Sequence, residues 1–236
     1  MSLLDEGKAN THLTHLEELV LTQGPKGYEM ARAFLLELLE ELKGNVDSRV
    51  KTSVKWDGAP AVFAGINPDN GKFFVGTKSV FNSKTPKINY TAADIKKNHE
   101  GGLQDKLLAA LPLFKKLGIK GVLQGDLLFT DDVEEKTING EKYLVFTPNT
   151  ITYAVPVDSD MAQQVKKAKI GIVWHTTYSG KSMIDMKASF GANVSGLRKS
   201  KDVFFTDADF RDTSGSATFT ASETESASDA IANVKR

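Results

Sequence analysis

The first sustained pattern of apolar and polar positions lies at residues 28–43, where Met30, Phe34, Leu35, Leu38, Leu39 and Leu42 recur at helical spacing and Gly44 supplies the stop. The spacing predicts a helix that packs on a sheet. Gly24-Pro25-Lys26-Gly27 ahead of it lacks the P-loop pattern and reads as a turn. Strand-like alternation follows at 50–56 and continues at 61–66, and Pro68-Asp69-Asn70-Gly71 turns the chain into a third strand at 72–79. This predicts a β-meander with Lys55 at its first corner. Residues 82–102 are polar and lysine-rich, so a surface excursion with one helical turn is expected there. An amphipathic helix at 103–117, closed by Gly118, leads to a strand at 119–129. Asn139-Gly140 is the strongest hairpin signal. Strands at 150–157 and 170–177 flank a helix at 159–169, capped by Ser159 or Asp158. Beyond Gly191 the pattern fades, and 213–228 is Ser/Thr/Ala-rich with little to bury. The expected class is α+β, with mainly antiparallel sheets and packed helices. One domain is expected over 1–212, followed by a polar tail or the start of a truncated helix over 213–236.

Composition narrows the chemistry. A chain of 236 residues with 40% hydrophobic and 25% charged content suits one large soluble domain or two small ones. The absence of cysteine excludes disulfides, thiolate nucleophiles and cysteine-ligated zinc, and fits a reducing compartment. Met1-Ser2-Leu3-Leu4-Asp5-Glu6 has neither the basic start nor the apolar core of a signal peptide, and no run reaches the ~20 apolar residues that span a bilayer. A cytoplasmic, non-membrane protein is expected. Thirty basic residues balance thirty acidic ones, so any polyanion contact must come from a local patch.

Candidate chemistry centres on Lys55-Trp56-Asp57-Gly58. Strand alternation would put Lys51, Ser53, Lys55 and Asp57 on one polar face lining a cleft. A lysine becomes nucleophilic near neutral pH only when desolvated or crowded by cations, here Lys51 and Lys78. Gly58 would permit a backbone turn and a close ligand approach. The alternative is a surface lysine beside an ordinary Asp-Gly turn. Lys78, in Gly76-Thr77-Lys78-Ser79, returns a cation towards the same corner. Gln124 and Asp126 share one face of their strand, where the acid can hold a ribose hydroxyl or Mg2+, or simply face solvent. His12 and His15 lack a third metal ligand, and a helix entry with Thr14 as cap is expected instead. Trp174-His175-Thr176-Thr177-Tyr178 reads as a pocket wall or as a buried strand with satisfied hydroxyls. Lys84, Lys87, Lys96 and Lys97 around Tyr90 read as nucleic-acid contacts or as a solvated loop face.

In their order these segments resemble the covalent nucleotidyltransferases: DNA ligases, RNA ligases and mRNA capping enzymes. The resemblance implies a nucleotidyltransferase (ATP-grasp-like ligase adenylation) domain, with Lys55 to Gly58 as motif I and Lys55 as the residue that takes up the nucleotide. Thr77-Lys78-Ser79 looks like the Ser-Arg motif with lysine for arginine, and Gln124-Gly125-Asp126-Leu127 like the Gly-Glu motif with a shorter acid. Tyr153, in Thr152-Tyr153-Ala154-Val155, stands where an aromatic ring would meet the purine; its alternation with Ile151, Val155 and Val157 equally suits a core tyrosine. The implied substrate and cofactor are ATP and Mg2+, with Asp126 as metal ligand, nucleic-acid ends as partners, and Trp56, Asp57, Gly58, Gln124 and Lys187 completing the nucleotide site. Two departures stand out. Ile170 occupies the place of the motif IV glutamate, and Met186-Lys187 offers one lysine where motif V has a pair. Either these motifs are lost and catalysis is impaired, or they lie beyond Arg236; because Ser222-Glu223-Thr224-Glu225 looks like a helix start, a fragment or split gene is expected over a degenerate enzyme. The chain also resembles a group of T4-like marine cyanophage proteins over residues 12–215, through Lys-Trp-Asp-Gly-x-Pro-Ala, Phe-Phe-Val-Gly-Thr-Lys-Ser and His-Thr-Thr-Tyr. That likeness identifies a family without giving its reaction, and would place the chain in the host cytoplasm. A noncatalytic nucleotide- or nucleic-acid-binding protein, and a phage structural or host-interaction protein, are the alternative expectations.

Overall fold

A computed structural model describes residues 15–44, 53–210 and 219–234. Among these, residues 55–208 form one compact unit, while 15–44, 53–54, 209–210 and 219–234 belong to another. The contacts assign the N-terminal helix to the same unit as the C-terminal residues.

In that smaller unit α1 (Leu16–Leu42) is longer than predicted. Gly24, at φ 56° and ψ −134°, breaks it into two helices, and Pro25 begins the second, where a missing N–H costs nothing. The expected turn is therefore present, but Leu16 and Leu19 already drive a short helix before it. The N-cap is His15, whose N–H donates to the Glu18 carboxylate at 3.4 Å; His12 and Thr14 lie outside the described residues. A further helix, Ala221–Asn233, begins where Ser222-Glu223-Thr224-Glu225 suggests a helix start. Thr220 caps it, its hydroxyl accepting from the Glu223 N–H at 3.3 Å while the Glu223 carboxylate accepts from the Thr220 N–H at 2.8 Å. Tyr28 ties the two helices by donating to the Val234 carbonyl at 2.7 Å.

The larger unit is α+β and mainly antiparallel. β1 (Ala61–Ile66), β2 (Phe73–Gly76), β3 (Val122–Phe129), β7 (Ile170–Ser179) and β8 (Lys187–Phe190) form one sheet in the order β2-β1-β3-β7-β8, with β9 (Val203–Asp207) alongside β7. β4 (Glu134–Ile138), β5 (Glu141–Phe146) and β6 (Tyr153–Pro156) form a second sheet. Asn139 at φ 51° and Gly140 at φ 88° join β4 to β5 as the Asn-Gly signal predicted. On one face of the larger sheet Val62, Ala64, Leu123, Leu127, Ile172 and Trp174 pack with Leu107, Ala110 and Phe114 of α3 (Gly101–Lys115). The other face carries two separate apolar clusters, one with Phe63, Val122 and Tyr178, the other with Leu128, Val173 and the Leu144–Phe146–Val155 side of the small sheet.

Four expectations need correction. Residues 54–58 form no strand: both edges of β1 are taken by β2 and β3, so this segment passes outside the sheet, and Ser53 makes only a lone bridge to Asp209. Residues 50–52, with Lys51, lie outside the described residues. The third strand stops at Gly76, because the Thr77 hydroxyl caps a 3-10 helix, Lys78–Phe81, that sends Val80 into the core. The 82–102 excursion is built inward: it carries α2 (Ala92–Asn98) and buries Asn89, Ile95 and His99. Asn89 donates to the Val75 carbonyl at 2.9 Å and lies 3.2 Å from His99 Nε2, while its own carbonyl accepts from Asn98 at 2.9 Å. Finally, β9 pairs parallel to β7, a long-range pairing that no local pattern announces. The 159–169 helix is present as α4 (Asp160–Lys167), capped by Ser159.

Candidate functional site

The segment from Lys55 to Pro60 crosses the end of β3 and is fixed there by three hydrogen bonds. The Ala59 N–H donates to the Leu127 carbonyl at 2.9 Å, and the Leu127 N–H returns to the Pro60 carbonyl at 3.1 Å. The Ala59–Pro60 peptide is cis. Lys106 of α3 donates its ammonium to the Ala59 carbonyl at 3.2 Å, so the cation that the fold brings to this corner comes from a helix. Gly58 sits so close to β3 that a Cβ on it would lie 2.5 Å from the Asp126 Cβ and 2.8 Å from the Leu127 oxygen. The glycine thus serves a close approach to β3, where a close approach to a ligand was expected.

Asp57 turns away from β3 towards the loop between β5 and β6. Its carboxylate accepts from Asn149 Nδ2 at 2.8 Å, from the Thr150 N–H and hydroxyl at 2.7 and 2.6 Å, and from the Ile151 N–H at 2.8 Å. These bonds, the Thr150 and Asn149 side chains foremost, hold its pKa well below the usual carboxylate range. The stability this contributes is present above the ordinary carboxylate pKa and is lost as pH falls through the depressed folded value. Asp57 also donates its backbone N–H to the Tyr153 hydroxyl at 2.7 Å. The Trp56 ring lies 5.0 Å from that of Tyr153, which in turn stacks on Phe146 at 5.6 Å. Tyr153 is therefore engaged through both its ring and its hydroxyl.

β3 and β7 supply the polar floor. Gln124 pairs with Thr176 and Gly125 with Trp174, so two steps on β7 oppose one on β3 and His175 is the extra residue of a β-bulge. The bulge aims His175 to the Asp126 side of the sheet, with Nε2 3.5 Å from Asp126 Oδ2 and Nδ1 2.9 Å from the hydroxyl of Thr176, which is 3% exposed. His175 Nε2 is shielded from solvent and has no hydrogen-bond partner among the described residues. Gln124 accepts from the Tyr178 hydroxyl at 2.9 Å, and burial pushes the Tyr178 pKa up to about 12. The strip Gln124–Asp126–His175–Thr176 lies between the two apolar clusters of this face.

The fold brings Trp56, Asp57, Gly58, Asp126 and Tyr153 together, with Gln124 two residues along β3. Lys55 begins this segment and is exposed. Lys78 is exposed on the 3-10 helix, with no hydrogen bond or ion pair among the described residues. Lys187 pairs with Ser179, one step from the Tyr178–Ala188 pair; because Tyr178 reaches Gln124, alternation puts Lys187 on the opposite face. Sequence reasoning missed Asn149 and Thr150, and it named His175 only as part of a strand read as a pocket wall or a buried strand, without the bulge that aims it. Three consecutive polar residues, His175-Thr176-Thr177, inside an apolar strand were the available signal for the bulge.

A family model described as a family of unknown function, DUF6267, matches residues 10–236. The chain belongs to this DUF6267 family. No curated protein and no solved structure matches it. Among the described residues of this DUF6267 chain, no group of three or more His, Asp or Glu side chains is placed to hold a metal, and no helix is long and apolar enough to cross a membrane. Asp126 fits Mg2+ only as a lone carboxylate sharing the ion with phosphate oxygens and water, a common arrangement for that ion.

Proposed function

We propose that the chain is an ATP-dependent nucleotidyltransferase of the ligase type on a ligase-like adenylation fold, with Lys55 as nucleophile. The observation that carries this reading is the convergence at one corner of segments 55–58, 124–126 and 153, which are far apart in sequence and which the resemblance assigns to a single nucleotide site. In the reaction the neutral Lys55 amine attacks the α-phosphorus of ATP. A P–N bond forms, the bond to pyrophosphate breaks, and the amine loses its proton to solvent. A nucleic-acid 5′-phosphate oxygen then attacks the same phosphorus, a P–O bond forms, the P–N bond breaks, and the departing lysine amine takes back a proton. The 3′-hydroxyl of the adjoining end finally attacks the 5′-phosphorus; the phosphodiester bond forms, the bond to AMP breaks, and the hydroxyl proton passes to solvent. Bound Mg2+, held by Asp126 and the phosphates, would supply charge neutralisation of the triphosphate.

A second reading, a module that binds nucleotide or nucleic acid without transfer, is favoured by a specific set of observations. Asp57 and Tyr153 are committed to internal bonds, Lys187 lies on the far face, and Lys55 is exposed rather than desolvated. Incubation with α-labelled ATP and Mg2+, followed by denaturing electrophoresis, separates the two. Label retained by the wild type and absent from Lys55→Ala supports transfer. No label on the wild type, with a thermal shift from ATP, leaves binding alone, and label retained by Lys55→Ala removes Lys55 as nucleophile.

A further inference from the structure

A groove of about 360 Å³ within residues 55–208 is lined by Gln163, Gln164 and Lys167 of α4 and by Lys199, Ser200 and Lys201 of the loop before β9. The residues that meet here come from two basic segments. Stretches 166–169 and 198–202 hold Lys166, Lys167, Lys169, Arg198, Lys199 and Lys201 against the single acid Asp202, in a chain whose total charge is balanced. Asp202 is already engaged by Lys169 at 3.6 Å. Lys167, Lys199 and Lys201 are exposed and make no ion pair or hydrogen bond among the described residues.

The parallel strand makes this concentration. Ile170 of β7 pairs with Val203 of β9, so the residues leading into both strands meet at one end of the sheet, and the Lys169 N–H donates to the Asp202 carbonyl at 2.9 Å. An antiparallel pairing would have sent the two lysine-rich lead-ins to opposite ends. The result is a cleft with Lys167 on one wall, Lys199 and Lys201 on the other, and two amide side chains that both donate and accept. Exposed ammoniums hold a single free phosphate weakly, but along a phosphate polymer they release condensed counterions together.

We infer that this groove binds the phosphate backbone of a single nucleic-acid strand through Lys167, Lys199 and Lys201, with Gln163 and Gln164 contacting sugar or base edges. It is a site separate from the Lys55 corner, and it shares with the proposed function only its ligand class.

The test is the salt dependence of binding of a fluorescent single-stranded oligonucleotide to the full chain, measured by anisotropy. Loss of three phosphate contacts in Lys167→Ala/Lys199→Ala/Lys201→Ala should lower the slope of log K against log salt by about 2 and weaken binding at 0.1 M salt on the order of a hundredfold. Lys72→Ala/Lys136→Ala/Lys181→Ala, which removes three exposed cations elsewhere, should keep the wild-type slope. The inference is overturned if the wild type does not bind, if the groove variant keeps the wild-type slope and affinity, if the second variant loses the slope instead, or if polyglutamate of equal charge competes as well as unlabelled oligonucleotide. Lys55→Ala distinguishes the two proposals: it abolishes labelling by ATP if the transfer reading holds, and leaves groove binding intact whether or not that reading holds.

Discussion

Replacing Gly58 with alanine should destabilise the protein, and the size follows from what surrounds it. The new Cβ would lie 2.5 Å from the Asp126 Cβ, 2.8 Å from the Leu127 oxygen and 3.1 Å from the Asp126 carbonyl carbon, whereas carbon atoms rest at ~3.5–4.0 Å. β3 cannot retreat, because it is hydrogen-bonded between β1 and β7. Segment 57–60 must lift instead, weakening the Ala59–Leu127 and Leu127–Pro60 bonds. Overpacking costs ~1–3 kcal/mol, and strained hydrogen bonds add about 1 kcal/mol each. Against this, alanine gains ~0.4–1 kcal/mol by restricting the unfolded chain. A net loss of about 3 kcal/mol is expected, a fall in Tm of roughly 6–12 °C for a chain of this size. Gly102 serves as control: it lies inside α3, and a methyl group there would have nothing within 4 Å, so Gly102→Ala should be neutral or stabilising by up to ~1 kcal/mol. Urea unfolding followed through tryptophan fluorescence measures both. Asp126→Gly removes the nearest atom but leaves the Leu127 oxygen, so the Gly58→Ala/Asp126→Gly double variant should recover part of the loss. A Gly58→Ala variant within ~0.5 kcal/mol of wild type, or single-variant losses that add within about 0.5 kcal/mol in the double variant, would refute the close-contact reasoning.

Three further outcomes are expected. Tyr178→Phe leaves the half-buried Gln124 carbonyl without its donor and should cost about 1 kcal/mol in urea unfolding. Burial, and then the Lys87 charge, hold the His99 pKa below its ordinary value. The unfolded chain therefore takes up this proton first as pH falls, and wild-type stability should decline below about pH 6.5 until the lower folded pKa is passed; His99→Gln should flatten that decline in urea midpoints taken between neutral and acid pH. Asp57→Asn keeps the size of the side chain but loses its charge and acceptors towards 149–151, so amide hydrogen exchange at Thr150 and Ile151 should accelerate while Leu144 and Val145 stay protected.

The elements that sequence revealed are those whose determinants are local. Asn139-Gly140 carries its turn in two backbone conformations, Ser159 caps α4 through its own hydroxyl, and the α3 stripe needs only helical spacing. Those that it concealed are set by distant partners. The alternation through Val54 and Trp56 looks like a strand, but the edges of β1 are already taken. Asn89 and His99 look like surface polar residues, and each is buried because the other satisfies it. At the candidate site the shared face of Gln124 and Asp126 was legible from strand alternation. The role of Asp57 was not, because its partners lie in a loop more than ninety residues away, and the orientation of His175 depends on a register step between two strands.

The β7/β9 pairing has a consequence for synthesis. On the side of β7 away from β3, Ile170–Trp174 is covered by β9 and only Thr177–Ser179 by β8. While a ribosome is still adding the thirty or so residues between them, the apolar run Ile170-Gly171-Ile172-Val173-Trp174 presents an open row of backbone donors and acceptors, the form of edge that recruits a neighbouring chain. Chains released before residue 203 is added should therefore associate with one another through this edge, and released chains that run past residue 207 should not.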